Sequence, residues 1–433
     1  MKFKIETLGC KVNQFESTAL ETLLRKRGHS PAAPGEHCDA VIINSCAVTG
    51  DASRQSRQTA RRLQRENPGT LLAVCGCASQ LAPAEMAALG AALVGGSGDR
   101  IAFLDELEAL VAAREAAATV RVRVDDPKKR RVIEPLPSGA PDGRTRAMIK
   151  IQDGCDNFCS YCVIPYARGR VRSLPLQEAV AEGKKLEAQG FCEIVLTGIE
   201  ISSYGKDLPD APNLADLVYA ISSAVQDVRL RLGSLEPSMI TPELVDRLAG
   251  VPNLCEHFHL SLQSGSDDVL RRMNRRYSTA EFYNALCLLR ARFPNCGATA
   301  DVIMGFPGET EREVQETLDF LEKCAFSRIH VFPYSKRPGT KAAEMPNQVL
   351  NAEKKTRAAL ARAVGDRTAK AFLGSQVGKT LEVLFEREVN GMFFGHTRNY
   401  IEVAVPASGV EALHGKTKSV KIVSIENDYC IGI

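Results

Sequence analysis

What the chain lacks narrows its function first. Lys and Arg number 55 against 52 for Asp and Glu, a formal net charge of +3, so no global excess of positive charge marks a nucleic-acid binder and any such contact must be local. No stretch approaches the ~18 uninterrupted apolar residues of a membrane-spanning helix. The opening MKFKIETLGC lacks the apolar run of a signal peptide, so a cytoplasmic chain with no membrane partner is expected. Low-complexity tracts are missing, and no repeat is visible beyond an alternation of strand-like and helix-like runs. Apolar residues at 44% and charged residues at 25% exclude wholesale disorder. Tryptophan is absent, whereas cysteine appears 14 times. A chain of 433 residues builds cores without disulfides, so these thiols read as core residues, metal or cluster ligands, or redox groups.

The pattern divides the chain into an α/β assembly. Residues 1–120 begin with strand-like Lys2–Leu8, a helical stretch Val12–Gly28, the apolar run Ala40–Asn44, a helix Asp51–Glu66 with Asp51 as candidate N-cap, and the run Leu71–Val74. This βαβαβ order predicts an open parallel sheet. Residues 121–146 hold the charged run Lys128–Arg131 and the stretch EPLPSGAPDG, read as a linker. Across 147–372 the alternation resumes, with strands at Met148–Gln152, Glu193–Thr197, Arg229–Leu232, His257–Leu262, Thr299–Met304 and Arg328–Phe332, followed by a Lys/Arg-rich helix Asn351–Phe372. Six such units suit a (β/α)6 part-barrel. In residues 373–433 short β runs alternate with Gly turns, as in a small antiparallel barrel of the OB kind.

Two cysteine triads carry chemistry. Cys155, Cys159 and Cys162 form C-x3-C-x2-C immediately after the first part-barrel strand. Three thiolates this close can converge on one iron–sulfur cubane, leaving one iron open for substrate chemistry; a zinc site with a remote fourth ligand is the alternative. Cys10, Cys46 and Cys77 lie far apart in sequence, yet each falls at or just after the carboxyl end of a predicted strand. Those ends share one edge of a parallel sheet, where ligands bind. Buried core cysteine is the competing reading for each of them. Cys75 is a rival ligand that reads as packed at the end of LLAVC, and Cys38, Cys192, Cys255, Cys287, Cys296, Cys324 and Cys430 read as core or incidental thiols.

C-x3-C-x2-C at this place resembles the radical S-adenosylmethionine superfamily, and Tyr161 before the third cysteine fits it. TLGCKVNQFES, INSCAVT and GCASQ resemble the N-terminal domain of the methylthiotransferase family. CDNFCSYCVIPYARGRVRS, LTGIEISSYG, HLSLQSGSDDVLRRMNR, TADVIMGFPGET and FPYSKRPGT resemble its middle, and the terminal β region resembles its TRAM domain. The phrase Gly-Cys-Lys-Val-Asn-Gln resembles the branch acting on N6-threonylcarbamoyladenosine of tRNA, next to the anticodon at position 37. The isopentenyladenosine branch tends to carry Gly-Cys-Gln-Met-Asn and the ribosomal-protein branch Gly-Cys-Pro-Lys-Asn.

The resemblance implies two [4Fe-4S] clusters and two uses of S-adenosylmethionine. Cys155, Cys159 and Cys162 would hold the catalytic, radical-generating cluster, and Cys10, Cys46 and Cys77 the cluster on the sulfur-donor side. The target C2 of adenine has no useful acidity, so the cofactor rather than an acid–base pair must open it. For S-adenosylmethionine the resemblance points to Thr197, Gly198 and Glu200 near the methionine amino group, Gln263 and Ser264 near the ribose, and Ile303, Gly305 and Glu309 near the adenine; the family often has Asn where Glu200 stands. It further implies a tRNA anticodon stem-loop as partner, an electron donor such as flavodoxin or ferredoxin, a sulfur source, and a monomer.

RNA contact must come from patches. Arg54, Arg57, Arg61 and Arg65 fall on one stripe of the helix after Cys46, which suits a phosphate backbone, although a solvated helix face has the same pattern. Lys354, Lys355, Arg357 and Arg362 form a second candidate. From Ser375 onward six cationic residues stand against seven acidic ones, Glu411 among them, so RNA binding there requires a face such as Phe393, Phe394, His396, Arg398 and Tyr400. Two competing functions fit the same residues: a methylthiotransferase acting on isopentenyladenosine tRNA or a ribosomal protein, and a non-catalytic iron–sulfur or zinc protein that binds RNA.

Overall fold

The computed structural model describes residues 1–113, 120–139, 143–407 and 412–433. Parts of the expected first domain and linker, and Glu411, lie outside the described residues. Six parallel strands form the first sheet, in the order Ser30–Pro31, Lys2–Thr7, Ala40–Ser45, Leu71–Gly76, Leu93–Gly95 and Arg121–Arg123. Ala40–Ser45 is buried at every position because both faces are covered. Ile42 packs with Leu20, Leu24, Phe103 and Leu107 on one face, and Ile43 with Ala60, Leu63 and Met86 on the other. Arg121–Arg123, read as linker from composition, instead forms the edge strand, and Ile133, Leu136 and Ser138 beyond it are buried. The helix Gly50–Glu66 is capped by Thr49, whose side chain accepts from the Ala52 N–H at 3.1 Å; the expected cap, Asp51, lies inside the first turn.

The central unit has six parallel strands in chain order: Arg146–Lys150, Glu193–Thr197, Arg229–Leu232, His257–Gln263, Gly297–Met304 and Arg328–Pro333. The third is interrupted at Gly233; its first piece pairs with the second strand, and its continuation Ser234–Leu235 pairs with the fourth. Among the described residues the first and sixth strands do not pair, so the barrel stays open on that side. The helix Asn351–Gly374 covers the last strand, with Gly365 against Ile329, and leads to the terminal unit.

That unit is a closed five-stranded barrel of Thr380–Val389, Met392–Thr397, Glu402–Pro406, Thr417–Glu426 and Tyr429–Gly432. It is not wholly antiparallel, since Val403–Ala404 pairs in parallel with Cys430–Ile431 to close the seam. No helix among the described residues is long and apolar enough to cross a membrane.

Candidate active site between two thiol triads

The first triad sits on one edge of the first sheet, at the carboxyl ends of three adjacent strands. Cys10 is the N-cap of the helix Lys11–Lys26, Cys46 follows Ala40–Ser45, and Cys77 opens the short helix after Leu71–Gly76. Gly9 has φ +101, and a Cβ there would stand 2.5 Å from the Cys46 Sγ. Only glycine therefore lets the Cys10 loop close on Cys46. Burial pushes the Cys77 thiol up to about 12, with the neighbouring Cys10, Glu16 and Cys46 adding to the effect and Arg168 opposing it.

The second triad forms behind Gln152–Asp153, which leaves the barrel to pair antiparallel with Arg172–Ser173. Burial pushes the Cys155 and Cys162 thiols up to about 12. Nitrogen donors reach five of the six triad sulfurs, while the Cys10 thiol donates to Asn13 Oδ1 at 3.7 Å. The Val48 N–H donates to Cys46 Sγ at 3.5 Å, Asn157 N–H to Cys155 Sγ at 3.5 Å, and Ile164 N–H to Cys162 Sγ at 3.4 Å. Arg168 Nε donates to Cys77 Sγ and Arg275 Nη1 to Cys159 Sγ, each at 3.2 Å. Donors aimed at sulfur favour thiolate, the form in which cysteine binds metal. Among the described residues no three His, Cys, Asp or Glu side chains are grouped tightly enough to share a single ion. A cubane, in which each cysteine takes its own iron, fits the all-sulfur donor sets better than mononuclear zinc does.

One short helix joins the triads. Ile164–Arg168 begins at the Cys162 sulfur and ends with Arg168 at the Cys77 sulfur. The Arg168 guanidinium is fully buried and held by Glu16 Oε1 at 2.8 Å, Asp153 Oδ1 at 3.1 Å and Asn13 Oδ1 at 3.0 Å. Arg100 completes the Glu16 pairing at 2.8 Å, and Lys150 lies 3.2 Å from Asp153. Burial alone would raise the Glu16 carboxyl, but Arg168, Arg100 and Lys150 hold it well below the ordinary carboxylate range.

Beside Cys159 a cleft is lined by Glu200, Lys206, Glu236, Asn274 and Arg275. Arg275 pairs with Glu236 at 2.5 Å, and burial raises the carboxyls of both Glu200 and Glu236.

Comparison with known proteins now decides the family. Residues 149–321 match the Radical SAM superfamily, and residues 2–95 match a family described as Uncharacterized protein family UPF0004. The chain is 39% identical to the threonylcarbamoyladenosine tRNA methylthiotransferase MtaB of Bacillus subtilis, over 98% of this chain and 94% of that one. It is 35% identical to the Thermotoga maritima protein of the same name, over 98% and 95%. It is 32% identical to the tRNA-2-methylthio-N(6)-dimethylallyladenosine synthase of Pelotomaculum thermopropionicum, over 100% and 97%. The chain belongs to the radical S-adenosylmethionine methylthiotransferases. Among solved structures, the radical S-adenosylmethionine methyltransferase TsrM of Kitasatospora setae shares the fold, with TM-score 0.57 and 17% identity over 79% of this chain and 77% of that one. Methylthiotransferases of this family use S-adenosylmethionine and carry two [4Fe-4S] clusters, which the two all-sulfur triads suit.

The methylthiotransferase fold sorts the other expected contacts. Thr197, Gly198 and Glu200 lie on the loop held by Gln152, whose Oε1 accepts from the Ile199 and Glu200 N–H groups at 3.0 and 2.8 Å; a Cβ on Gly198 would meet Gln152, and Glu200 acts electrostatically on Cys155. Gln263 is half-buried with φ +68 at the end of the fourth strand. Ile303 packs in the cluster that includes Tyr161 and Phe306. Ser264 is buried against Thr317 at 3.3 Å. Glu309 accepts from the Gly305 N–H at 2.7 Å and pairs with Arg357 at 3.0 Å, shaping its own loop. Glu16, Gln152, Arg168, Glu236 and Arg275 escaped sequence reasoning; the family-like phrases contained most of them, but single charged residues there gave no sign of which sulfur they serve.

The RNA candidates divide too. Arg54, Arg61 and Arg65 are exposed, whereas Arg57 reaches Glu85 at 3.6 Å. The loop after the sixth strand meets this helix: Gly50 N–H donates to Ser335 Oγ at 2.7 Å and Arg337 to Ser53 Oγ at 2.9 Å. Arg357 and Lys354 are buried, leaving Lys355 and Arg362 exposed. Arg398 is partly buried and donates to the carbonyls of Pro252 at 2.5 Å and Leu254 at 2.7 Å in the central unit. Phe393 belongs to the terminal barrel's core, and His396 and Tyr400 stack on each other at that same joint.

Proposed function

We propose that this methylthiotransferase converts N6-threonylcarbamoyladenosine of tRNA, at position 37 beside the anticodon, to its 2-methylthio derivative. The near full-length likeness to relatives named for that nucleoside, 39% and 35% identical, supports this substrate above the dimethylallyl one. Cys155, Cys159 and Cys162 hold the radical cluster, and Cys10, Cys46 and Cys77 hold the second. When bound, the clusters and S-adenosylmethionine supply hydrogen abstraction from an aromatic carbon and a methylated sulfur. This chain's own residues position and shield. Thr197, Gly198 and Glu200, with Gln152 behind them, form the edge that receives the methionine moiety. Arg275 and Arg168 donate to one sulfur of each triad, and the helix Ile164–Arg168 fixes the separation of the two sites. The exposed Arg54, Arg61 and Arg65 offer phosphate contacts on the rim. The enzyme works in the cytoplasm as a monomer, with tRNA, a reductant such as flavodoxin or ferredoxin, and a sulfur source as partners.

The test is gene deletion with mass spectrometry of tRNA nucleosides. We expect loss of 2-methylthio-N6-threonylcarbamoyladenosine, accumulation of its precursor, and restoration by the wild-type gene but not by Cys159→Ala or Cys77→Ala. An unchanged threonylcarbamoyl nucleoside, or loss of a methylthio-dimethylallyl nucleoside instead, overturns the assignment.

A further inference from the structure

The lumen of the part-barrel carries polar groups that neither triad uses. In the strand Arg328–Pro333, Arg328, His330 and Phe332 are exposed, while Ile329 and Val331 pack toward the core and covering helix. The exposed set therefore faces the opposite way, into the lumen. Pairing register places Arg328 beside Thr299, His330 beside Asp301, and Phe332 beside Ile303, with His259 on the far side of Thr299. The rings confirm the shared face: His259 lies 5.8 Å from His330, with its Nδ1 2.8 Å from Thr299 Oγ1 and its Nε2 3.3 Å from Asp301 Oδ2. The first domain adds Lys11, the residue after Cys10. It is exposed and within electrostatic reach of His330 and His257.

The charge of this recess is unbalanced. Among the described residues the side chains of Lys11 and Arg328 make no hydrogen bond or ion pair. The nearby carboxylate, Asp301, is shared with His259. Two permanent cations around one recess attract an anion, and the flat fork of arginine matches a carboxylate. Phe332, 42% exposed in the same row, offers a flat apolar face to an adjoining base. A threonylcarbamoyl group ends in a carboxylate and a hydroxyl, whereas a dimethylallyl group has no polar atom to offer.

We propose that Arg328, His330 and Lys11 form a carboxylate site on the lumen wall that reads the threonyl end of the substrate nucleoside, with Phe332 against the base. The inference rests on the threonylcarbamoyladenosine reading and assigns residues to it. Lys11 places part of the recognition on the first domain, so a substrate with the wrong substituent leaves both sides of the cleft uncompensated.

Three anticodon stem-loops of one sequence test it, carrying threonylcarbamoyladenosine, its carboxylate methyl ester, or dimethylallyladenosine, bound to the anaerobically reconstituted enzyme. We expect wild type to bind the free acid about 10-fold more tightly than the ester, the scale of one charge-assisted hydrogen bond. Arg328→Gln and Lys11→Gln should each narrow that ratio to about 3-fold or less, and Arg328→Lys should keep part of it. Iron content measured alongside should stay at the wild-type value. If wild type favours the dimethylallyl stem-loop, the substrate reading itself fails. If wild type favours the free acid and both variants keep the full ratio, the substrate reading stands and the carboxylate site is refuted.

Discussion

Arg168 shows what one residue does in this fold and why sequence alone does not disclose it. CVIPYARGR places an arginine six residues after Cys162, and nothing in that spacing says that its Nε points at a cysteine of the other domain, 91 positions earlier. The N-terminal thiols stood out because a cysteine followed three strands in turn, and the central ones because three lie within eight residues; Arg168 depends on how two domains meet, which is tertiary. With the second cluster on Cys77, as proposed, this N–H would stabilise the more negative, reduced form and so raise the reduction potential. In a chain carrying Cys155→Ala, Cys159→Ala and Cys162→Ala, Arg168→Lys should retain about four irons. EPR-monitored titration should place the remaining cluster's potential tens of millivolts below that of the same chain with Arg168 intact. Retained iron with an unmoved potential would remove Arg168 from any tuning role.

At the scale of elements, the strands were the most readable part and their ends the least. Burial on both faces makes Ala40–Ser45 a continuous apolar run, and all six central strands begin and end within two residues of the expected positions. The helix after Cys46 was foreseen, but its cap was not. Thr49 and Asp51 both have capping side chains, and only the backbone decides: Thr49 is extended at φ −120, ψ 157 and its oxygen accepts from Ala52 N–H. Arg121–Arg123 was missed because three residues paired at one edge of a sheet have too little periodicity to read among charged neighbours. The cap matters because Thr49 lies only three residues past Cys46. Thr49→Ala should cost about 1 kcal/mol of local stability. Hydrogen exchange at the Ala52 amide should report it, with little change at the Lys11–Lys26 helix; equal loss in both helices would mean that Thr49 supports the whole domain rather than one terminus.

At the scale of the molecule, the terminal barrel is a plug for the floor of the part-barrel as much as an appendage. Glu193, fully buried, pairs with Arg229 at 2.7 Å and Arg231 at 2.7 Å on the barrel floor. Tyr400 closes over them, 4.6 Å from both the Arg231 guanidinium and the His257 ring. Arg231 also donates to the Arg398 carbonyl at 3.1 Å, and a side chain at Gly297 would occupy the place of the Asn399 carbonyl. Sequence reading offered His396, Arg398 and Tyr400 as an RNA face, and composition cannot tell such a face from one that docks on a neighbouring unit. Glu386 ties the two units together, reaching Arg146 at 2.5 Å and His396 at 2.7 Å. Burial alone would raise its carboxyl, yet the His396 hydrogen bond and the Arg146 charge hold it below the ordinary glutamate value. A carboxyl lowered on docking adds stability that is complete above its free value and lost as pH falls through its docked one. Docking should therefore hold at neutral pH and weaken below about pH 4. Glu386→Gln should already show at pH 7 the faster limited proteolysis between Gly374 and Thr380 that wild type shows only in acid, and should add little further change on acidification. Cleavage that accelerates in acid to the same degree in wild type and Glu386→Gln would assign the pH response to other carboxylates.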